Sequence, residues 1–349
     1  MTADFDDRPA TMCEAFTRTV DRTPDQVALR GADAQIAYTY KQYRDAAADV
    51  AAALHSCGVR GGDVVALMFE NRPEFHVLDA AVMHLGAISC SIYNTSPRAD
   101  IAHIINSSGA RIALCEKQFA ARLHEADPGL TVVCTDPGVP DTRYLGDLPR
   151  AMDFDFDERW RSVEPDDVLT LIYTSGTTGK PKPVELTHGS MVAEIYLAAE
   201  VLEFRVGDKV PSALPMAHAA QRWGTHYNAM AFGLDVHCIA DLSTLAANMV
   251  AIQPDIWGTV PRILEKMVGA VRAKFELEQD PQKRAAIGQA IDVGRRFAEA
   301  RAQIGSGGRL PAELVSQREA VEPILAGIRA AMGLGRLRWL MVGAAATAP

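Results

Sequence analysis

Several functional classes are excluded by what this sequence does not have. Its six cysteines, Cys13, Cys57, Cys90, Cys115, Cys134 and Cys238, form no C-x-x-C pair and no metal-ligand spacing. No metal is therefore expected from them, and runs such as Ile112-Ala-Leu-Cys115 suit buried free thiols in a reducing compartment. Positive charge is in deficit, with 35 Lys and Arg against 44 Asp and Glu and a net charge of −9. That argues against nucleic acid as a partner, because neutralising phosphates needs clustered Lys and Arg. No uncharged apolar run reaches the roughly 20 residues of a membrane-crossing helix. The best candidate, Ala80 to Tyr93, is too short and contains His84 and Gly86. Met1 to Pro9 is acidic, without the basic start or apolar stretch of a secretory leader. A cytoplasmic protein is expected, with peripheral membrane contact left open.

The chain has 349 residues, 48% of them hydrophobic, which suits two lobes better than one simple core. Apolar periodicity alternates between strand and helix. Helices are expected over Tyr38–Val59, Pro73–Leu85, Arg98–Ser107 and Phe119–Ala126. Strands are expected over Asp63–Phe69, Ile88–Ile92, Arg111–Cys115 and Leu130–Cys134. Such alternation predicts a parallel α/β sheet. Asp136 to Glu164, rich in Pro, Gly and Asp, reads as a long surface connection. After it the rhythm resumes, with helices over Val192–Leu202, His218–Phe232 and Leu242–Ile252 and strands over Val168–Tyr173, Val210–Leu214, Asp235–Ile239 and Ile256–Val260. Three amphipathic helices follow, Ile263–Phe275, Lys283–Ile304 and Ala312–Met332, and then a strand over Leu337–Val342.

The most specific chemistry lies in Leu169 to His188. A buried strand runs into small hydroxylated residues, glycines and lysines. Gly176 and Gly179 let the backbone approach a bulky anion. Thr174, Ser175, Thr177 and Thr178 offer hydroxyl donors, and Lys180 and Lys182 supply charge. Backbone N–H groups and cations converging after a strand make a polyphosphate cradle. The Walker-type loop does not fit, since two residues rather than four separate the glycines and Pro181 follows Lys180. A plain Ser/Thr/Gly turn is the bland alternative, and two lysines around a proline weigh against it.

The segment Tyr173-Thr-Ser-Gly-Thr-Thr-Gly-Lys-Pro-Lys182 resembles the signature loop of the adenylate-forming superfamily, which includes acyl-CoA synthetases, beetle luciferases and peptide-synthetase adenylation domains. The likeness extends over nearly the whole chain and implies an α/β fold of two layered α/β/α subdomains. One would span 61–204 with the phosphate loop. The other would combine 10–60 with 207–349, its sheet incomplete and interrupted by a helical insertion over 262–335. Pro215-Met-Ala-His-Ala-Ala-Gln-Arg222 is similar to a segment that lines the acyl entrance in long-chain members, with Gln221 where Glu is usual. By that likeness His218 and Arg222 belong to the acyl site. His218 could equally be a helix-start residue that caps or packs. Val260-Pro-Arg-Ile-Leu-Glu-Lys266 and the helices after it resemble long-chain members as well. Val342-Gly-Ala-Ala345 resembles the small-residue turn under adenine, which implicates Gly343, Ala344 and Ala345.

The resemblance implies a two-step reaction. A fatty acid and ATP give acyl-AMP and pyrophosphate, and coenzyme A then displaces AMP, with Mg2+ accompanying ATP. The family's later motifs, a Tyr-Gly-x-Thr-Glu strand end, a Thr-Gly-Asp and a C-terminal lysine, do not occur in these 349 residues. The likeness is therefore to an N-terminal part, without the family's barrel and small C-terminal domain. Losing one charge-stabilising donor typically costs about 10²–10³ in rate, so little ligase activity is expected from the chain alone. Three readings follow: a long-chain fatty acid–CoA ligase, a vestigial module that binds nucleotide or acyl ligand, or one half of a split ligase completed by a C-terminal chain. Inside the signature, Pro183 stands where glycine is usual. It removes an N–H but suits passage into a strand at Val184.

Overall fold

The computed structural model describes residues 8–31, 34–174, 179–304 and 308–345, save the side chain of Lys274. The chain divides near residue 242 into two compact units.

The first unit begins with α1 (Met12–Arg22), β1 (Val27–Arg30), β2 (Ile36–Thr39) and α2 (Tyr40–Ser56). It continues with β3 (Val64–Met68), α3 (Pro73–His84), β4 (Ile88–Ser91), α4 (Arg98–Ser108), β5 (Ile112–Cys115), α5 (Lys117–Ala126) and β6 (Thr131–Cys134). Then come β7 (Arg143–Tyr144), α6 (Phe156–Arg161), β8 (Val168–Thr174), β9 (Lys182–Thr187) and α7 (His188–Ala198). It closes with β10 (Lys209–Ser212), α8 (Ala219–Gln221), α9 (Asn228–Phe232) and β11 (Asp235–Cys238). Seven strands lie in the order β7-β6-β5-β3-β4-β8-β9, all parallel except β9. A second sheet has the order β10-β11-β1-β2, with only β2 antiparallel.

Strands such as Val64–Met68 and Ile112–Cys115 are apolar at nearly every position and buried on both faces, as a parallel sheet covered by helices requires. The helices start and stop on local signals. Thr39 with Gln42 and Thr187 with Ser190 form reciprocal caps for α2 and α7. Gly109, at φ 74°, ends α4 in the left-handed region. One core cluster joins Ile101, Ile104 and Ile105 of α4 to Ala66 and Met68 of β3, Ala113 and Cys115 of β5, and Leu171 and Tyr173 of β8. α3 is buried almost throughout, although it carries His76, Asp79 and His84.

The second unit holds α10 (Leu245–Ile252), β12 (Ile256–Thr259), α11 (Pro261–Glu276), α12 (Pro281–Ile304), α13 (Ala312–Ala331) and β13 (Trp339–Val342). Here β12 and β13 pair in parallel as a sheet of two. No sheet among the described residues closes into a barrel. None of the described helices is long and apolar enough to cross a membrane.

Three expectations need correction. The stretch 136–164 is not one loop, because Asp155 caps α6 through the Glu158 N–H and Arg159 Nε donates to the Leu85 carbonyl at 2.8 Å. That arginine lies against Gly86 (φ +66°), where an added Cβ would meet the guanidinium at 2.5 Å. The helix expected over 218–232 is interrupted by a π-helical stretch, Arg222–Tyr227. The helix expected from Tyr38 begins only at Tyr40, because Tyr38 and Thr39 end β2, and β1 and β2 are runs too short to give a readable periodicity.

Candidate functional site: an exposed hairpin and a buried polar cluster

The phosphate-loop candidate is the connection between β8 and β9. Leu169 to Tyr173 are buried, and Thr174 emerges at the carboxyl end of β8. The chain then returns antiparallel, with Thr174 opposite Lys182, Tyr173 opposite Pro183 and Ile172 opposite Val184. Ser175, Gly176, Thr177 and Thr178 lie outside the described residues. Gly179, Lys180 and Lys182 are exposed, and a Cβ added at Gly179 would meet nothing within 4 Å. Among the described residues neither lysine has a carboxylate partner. Their charge stays uncompensated at the end of a parallel strand, where open α/β sheets place ligands. Pro183 sits on an edge strand, one of the few positions in a sheet where a missing N–H is tolerated.

His218 caps α8, its Nδ1 accepting from the Ala220 N–H at 3.1 Å, and partial burial lowers its pKa. Gln221 is 3% exposed. Its Oε1 accepts from the Leu214 N–H at 3.1 Å and its Nε2 donates to Ser212 Oγ at 2.8 Å. Asn71 Nδ2 donates to the Leu214 carbonyl at 2.6 Å. The segment after β10 is thereby held from two sides.

Arg222 is 1% exposed and opens the π-helical stretch. Nη1 donates to Ser91 Oγ at 2.7 Å, and Nη2 donates to Ser89 Oγ at 2.8 Å, to Asp79 Oδ1 and to the Tyr227 hydroxyl. The other Asp79 oxygen lies 2.7 Å from His226 Nε2, and His226 Nδ1 lies 2.8 Å from His76 Nδ1. A carboxylate accepts, so His226 carries its proton on Nε2 and His76 donates from Nδ1. Burial alone would raise the Asp79 carboxyl, but Arg222 and then His226 hold it well below the usual carboxylate range. Burial drives His76 and His226 the other way, toward the neutral form. The cluster is an ion pair with neutral imidazoles behind it, joining α3, β4 and the π-helical stretch.

Gly343, Ala344 and Ala345 follow β13 in the second unit. The Gly343 N–H donates to the Thr259 carbonyl at 3.2 Å, and Ala344 takes φ 68°. The hairpin residues Thr174, Gly179, Lys180 and Lys182 are thus together, His218 and Arg222 flank the short α8, and the Gly-Ala turn belongs to the other unit. Among the described residues no three His, Cys, Asp or Glu side chains gather as a metal site. Asp79, His76 and His226 were not anticipated. Polar residues within the apolar helix over 73–85 were the available signal.

Solved structures with this fold include a complex of VinN with L-aspartate, at 17% identity and TM-score 0.65 over 90% of this chain and 74% of that one. A Rhodopseudomonas palustris structure named as a long-chain-fatty-acid CoA ligase matches at 18% identity and TM-score 0.64, covering 74% of this chain and 65% of that one. Among curated sequences, a Mycobacterium tuberculosis protein named as the fatty-acid–CoA ligase fadD11 is 41% identical over 210 residues, 59% of this chain and 36% of that protein. Long chain acyl-CoA synthetase 7, peroxisomal, of Arabidopsis thaliana is 27% identical over 287 residues, 72% of this chain and 40% of that protein. The chain spans little more than a third of these ligases' length. A family model described as AMP-binding enzyme matches residues 16–349, and this chain belongs to that family.

Proposed function

We propose that this chain carries the nucleotide- and acyl-binding part of an enzyme that activates a fatty acid with ATP and passes the acyl group to coenzyme A. The observation that carries the reading is the hairpin itself, two lysines with no carboxylate partner among the described residues, at the open end of a buried strand. In the first step a carboxylate oxygen attacks the α-phosphorus and the bond to pyrophosphate breaks, giving acyl-AMP. In the second the coenzyme A thiol attacks the acyl carbon, AMP departs and a thioester forms. Lys180 and Lys182 would donate to phosphate oxygens, with the Thr174 hydroxyl and the loop residues Ser175, Gly176, Thr177 and Thr178 beside them. Gly343, Ala344 and Ala345 would floor the adenine, and the Ala344 φ supports a tight turn there. His218, half-exposed and shifted toward its neutral form by burial, would line the acyl entrance without adding a charge to repel or trap the acid. Arg222 would act from behind it, holding the backbone in place. Mg2+ is proposed only as the companion of ATP, because no described carboxylate cluster fits it.

A long acyl chain is the preferred substrate class. The helices α11 to α13, which resemble the long-chain insertion, and the likeness to ligases so named support it. The domain grouping 61–204 against 10–60 plus 207–349 belongs to the same proposal. Calorimetric titration of ATP into the 349-residue chain tests the reading, followed by fatty-acid-dependent pyrophosphate release. Binding without release favours the module that holds ligand but does not turn over. Release that appears only when a C-terminal chain is added favours the split ligase. No ATP binding, with K180A and K182A indistinguishable from the unaltered chain, ends the proposal.

A further inference from the structure

One face of α4 touches both arms of the hairpin. His103 and Ser107 are one helical turn apart and so share a face. His103 Nε2 lies 2.9 Å from the carbonyl oxygen of Pro181, the residue between Lys180 and Lys182. A carbonyl only accepts, so His103 carries a proton on Nε2. Ser107 Oγ lies 2.6 Å from the His103 carbonyl and 2.8 Å from the Tyr173 hydroxyl. Its single proton goes to the carbonyl, so Tyr173 donates to Ser107. Tyr173 ends the buried part of β8 and pairs with Pro183 of β9. The helix is itself well seated, since Ile101, Ile104 and Ile105 share a core cluster with Leu171 and Tyr173. Among the described residues the last pair of the ladder between β8 and β9 is Thr174 with Lys182. Beyond that pair, His103 is the side chain that holds the segment, among the described residues.

We propose that His103 is a positioning residue for phosphate binding: its Nε2–H fixes the peptide between Lys180 and Lys182 and so sets where the two ammonium groups stand. The inference rests on the nucleotide reading above. It would act through ATP affinity and leave acyl binding alone.

The test uses H103F, which keeps a ring and loses the donor, and H103Q, which restores a donor. ATP affinity of the 349-residue chain is measured by calorimetry, palmitate affinity by the same method, and amide hydrogen exchange over 179–183 by mass spectrometry. H103F is expected to weaken ATP binding roughly threefold to tenfold, the worth of one neutral hydrogen bond, and to speed exchange over 179–183. H103Q should recover most of the affinity, and palmitate binding should not change in either variant. If H103F fails to fold, as judged by circular dichroism, H103A takes its place. Unchanged ATP affinity in the donor-less variant overturns the inference while the nucleotide reading stands, as does equal weakening in H103F and H103Q. An unaltered chain that binds no ATP overturns the nucleotide reading and this inference with it.

Discussion

Among the described residues Lys180 and Lys182 stand in solvent without a carboxylate beside them, whereas Arg222, 1% exposed, gives its terminal N–H groups to Asp79, Ser89, Ser91 and Tyr227. Both regions carry cations in segments that resemble functional motifs, and their surroundings separate them. An ammonium in water costs little to leave unpaired and is available to an incoming anion. A guanidinium taken out of water must be matched within the protein. The hairpin is therefore built to receive charge and the cluster to hold elements together. Serine hydroxyls and a tyrosine serve the cluster, while the hairpin's cations meet nothing on the described surface.

The sharpest break of that contrast is D79A. It strands a buried guanidinium, and about 3–5 kcal/mol of stability should be lost, read as a fall in the urea midpoint. The double variant D79L/R222M, which removes both charges, should recover much of it. A cost below about 1 kcal/mol for D79A would mean that the pair is not structural.

Acid should act on the buried side of the contrast as well. Burial lowers His84 to about 4, although its hydrogen bond to the Ala80 carbonyl opposes the shift. Burial also lowers His188 to about 4, with Asp167 and Asp79 opposing. Both folded values lie below the unfolded one near 6.5. Between these values the unfolded chain takes up protons that the folded chain refuses, so stability is full above about 6.5 and falls as the pH drops toward 4. The loss should be on the order of 1–3 kcal/mol for each group. Urea midpoints measured from pH 7 to pH 4 should show it. H84Q and H188Q should each flatten the slope, whatever they do to the value at pH 7.

On the exposed side, K180A and K182A should each weaken ATP binding about tenfold to a hundredfold, the range of a charge-assisted hydrogen bond. The thermal midpoint should hardly move, since exposed substitutions usually stay within about 0.5 kcal/mol. A large stability loss in either variant would place that lysine in the structural class. The smallest effect is expected from P183G. Its edge position asks for no N–H, so ATP affinity should change less than about threefold and stability should fall by roughly 0.4–1 kcal/mol through the unfolded chain.

Most of the parallel α/β rhythm could be read before the structure. The expected strand over 111–115 is observed as Ile112–Cys115, and the helix from Pro73 ends at His84. Continuous apolar runs and cap residues are local signals, and they carried these elements. The break at Arg222–Tyr227 was not legible. It arises where Arg222 and His226 both meet Asp79, more than a hundred residues earlier in the chain. The hairpin was legible by composition and its antiparallel return was not, because pairing of Tyr173 with Pro183 is a matter of register. His103 left no trace in periodicity, since a half-buried histidine on a helix surface looks the same with or without a partner carbonyl.

The pairing of β1 with β11, Leu29 beside Val236, has a consequence for how the chain is made. Every strand of the seven-stranded sheet is synthesised between these partners, so that sheet can close while the ribosome is still working toward residue 236. At about 5–20 residues per second, the wait for Leu29 is roughly 10–40 s. For that interval β1 has only β2 beside it, its other edge lacks β11, and a chaperone that binds nascent chains would find that edge open.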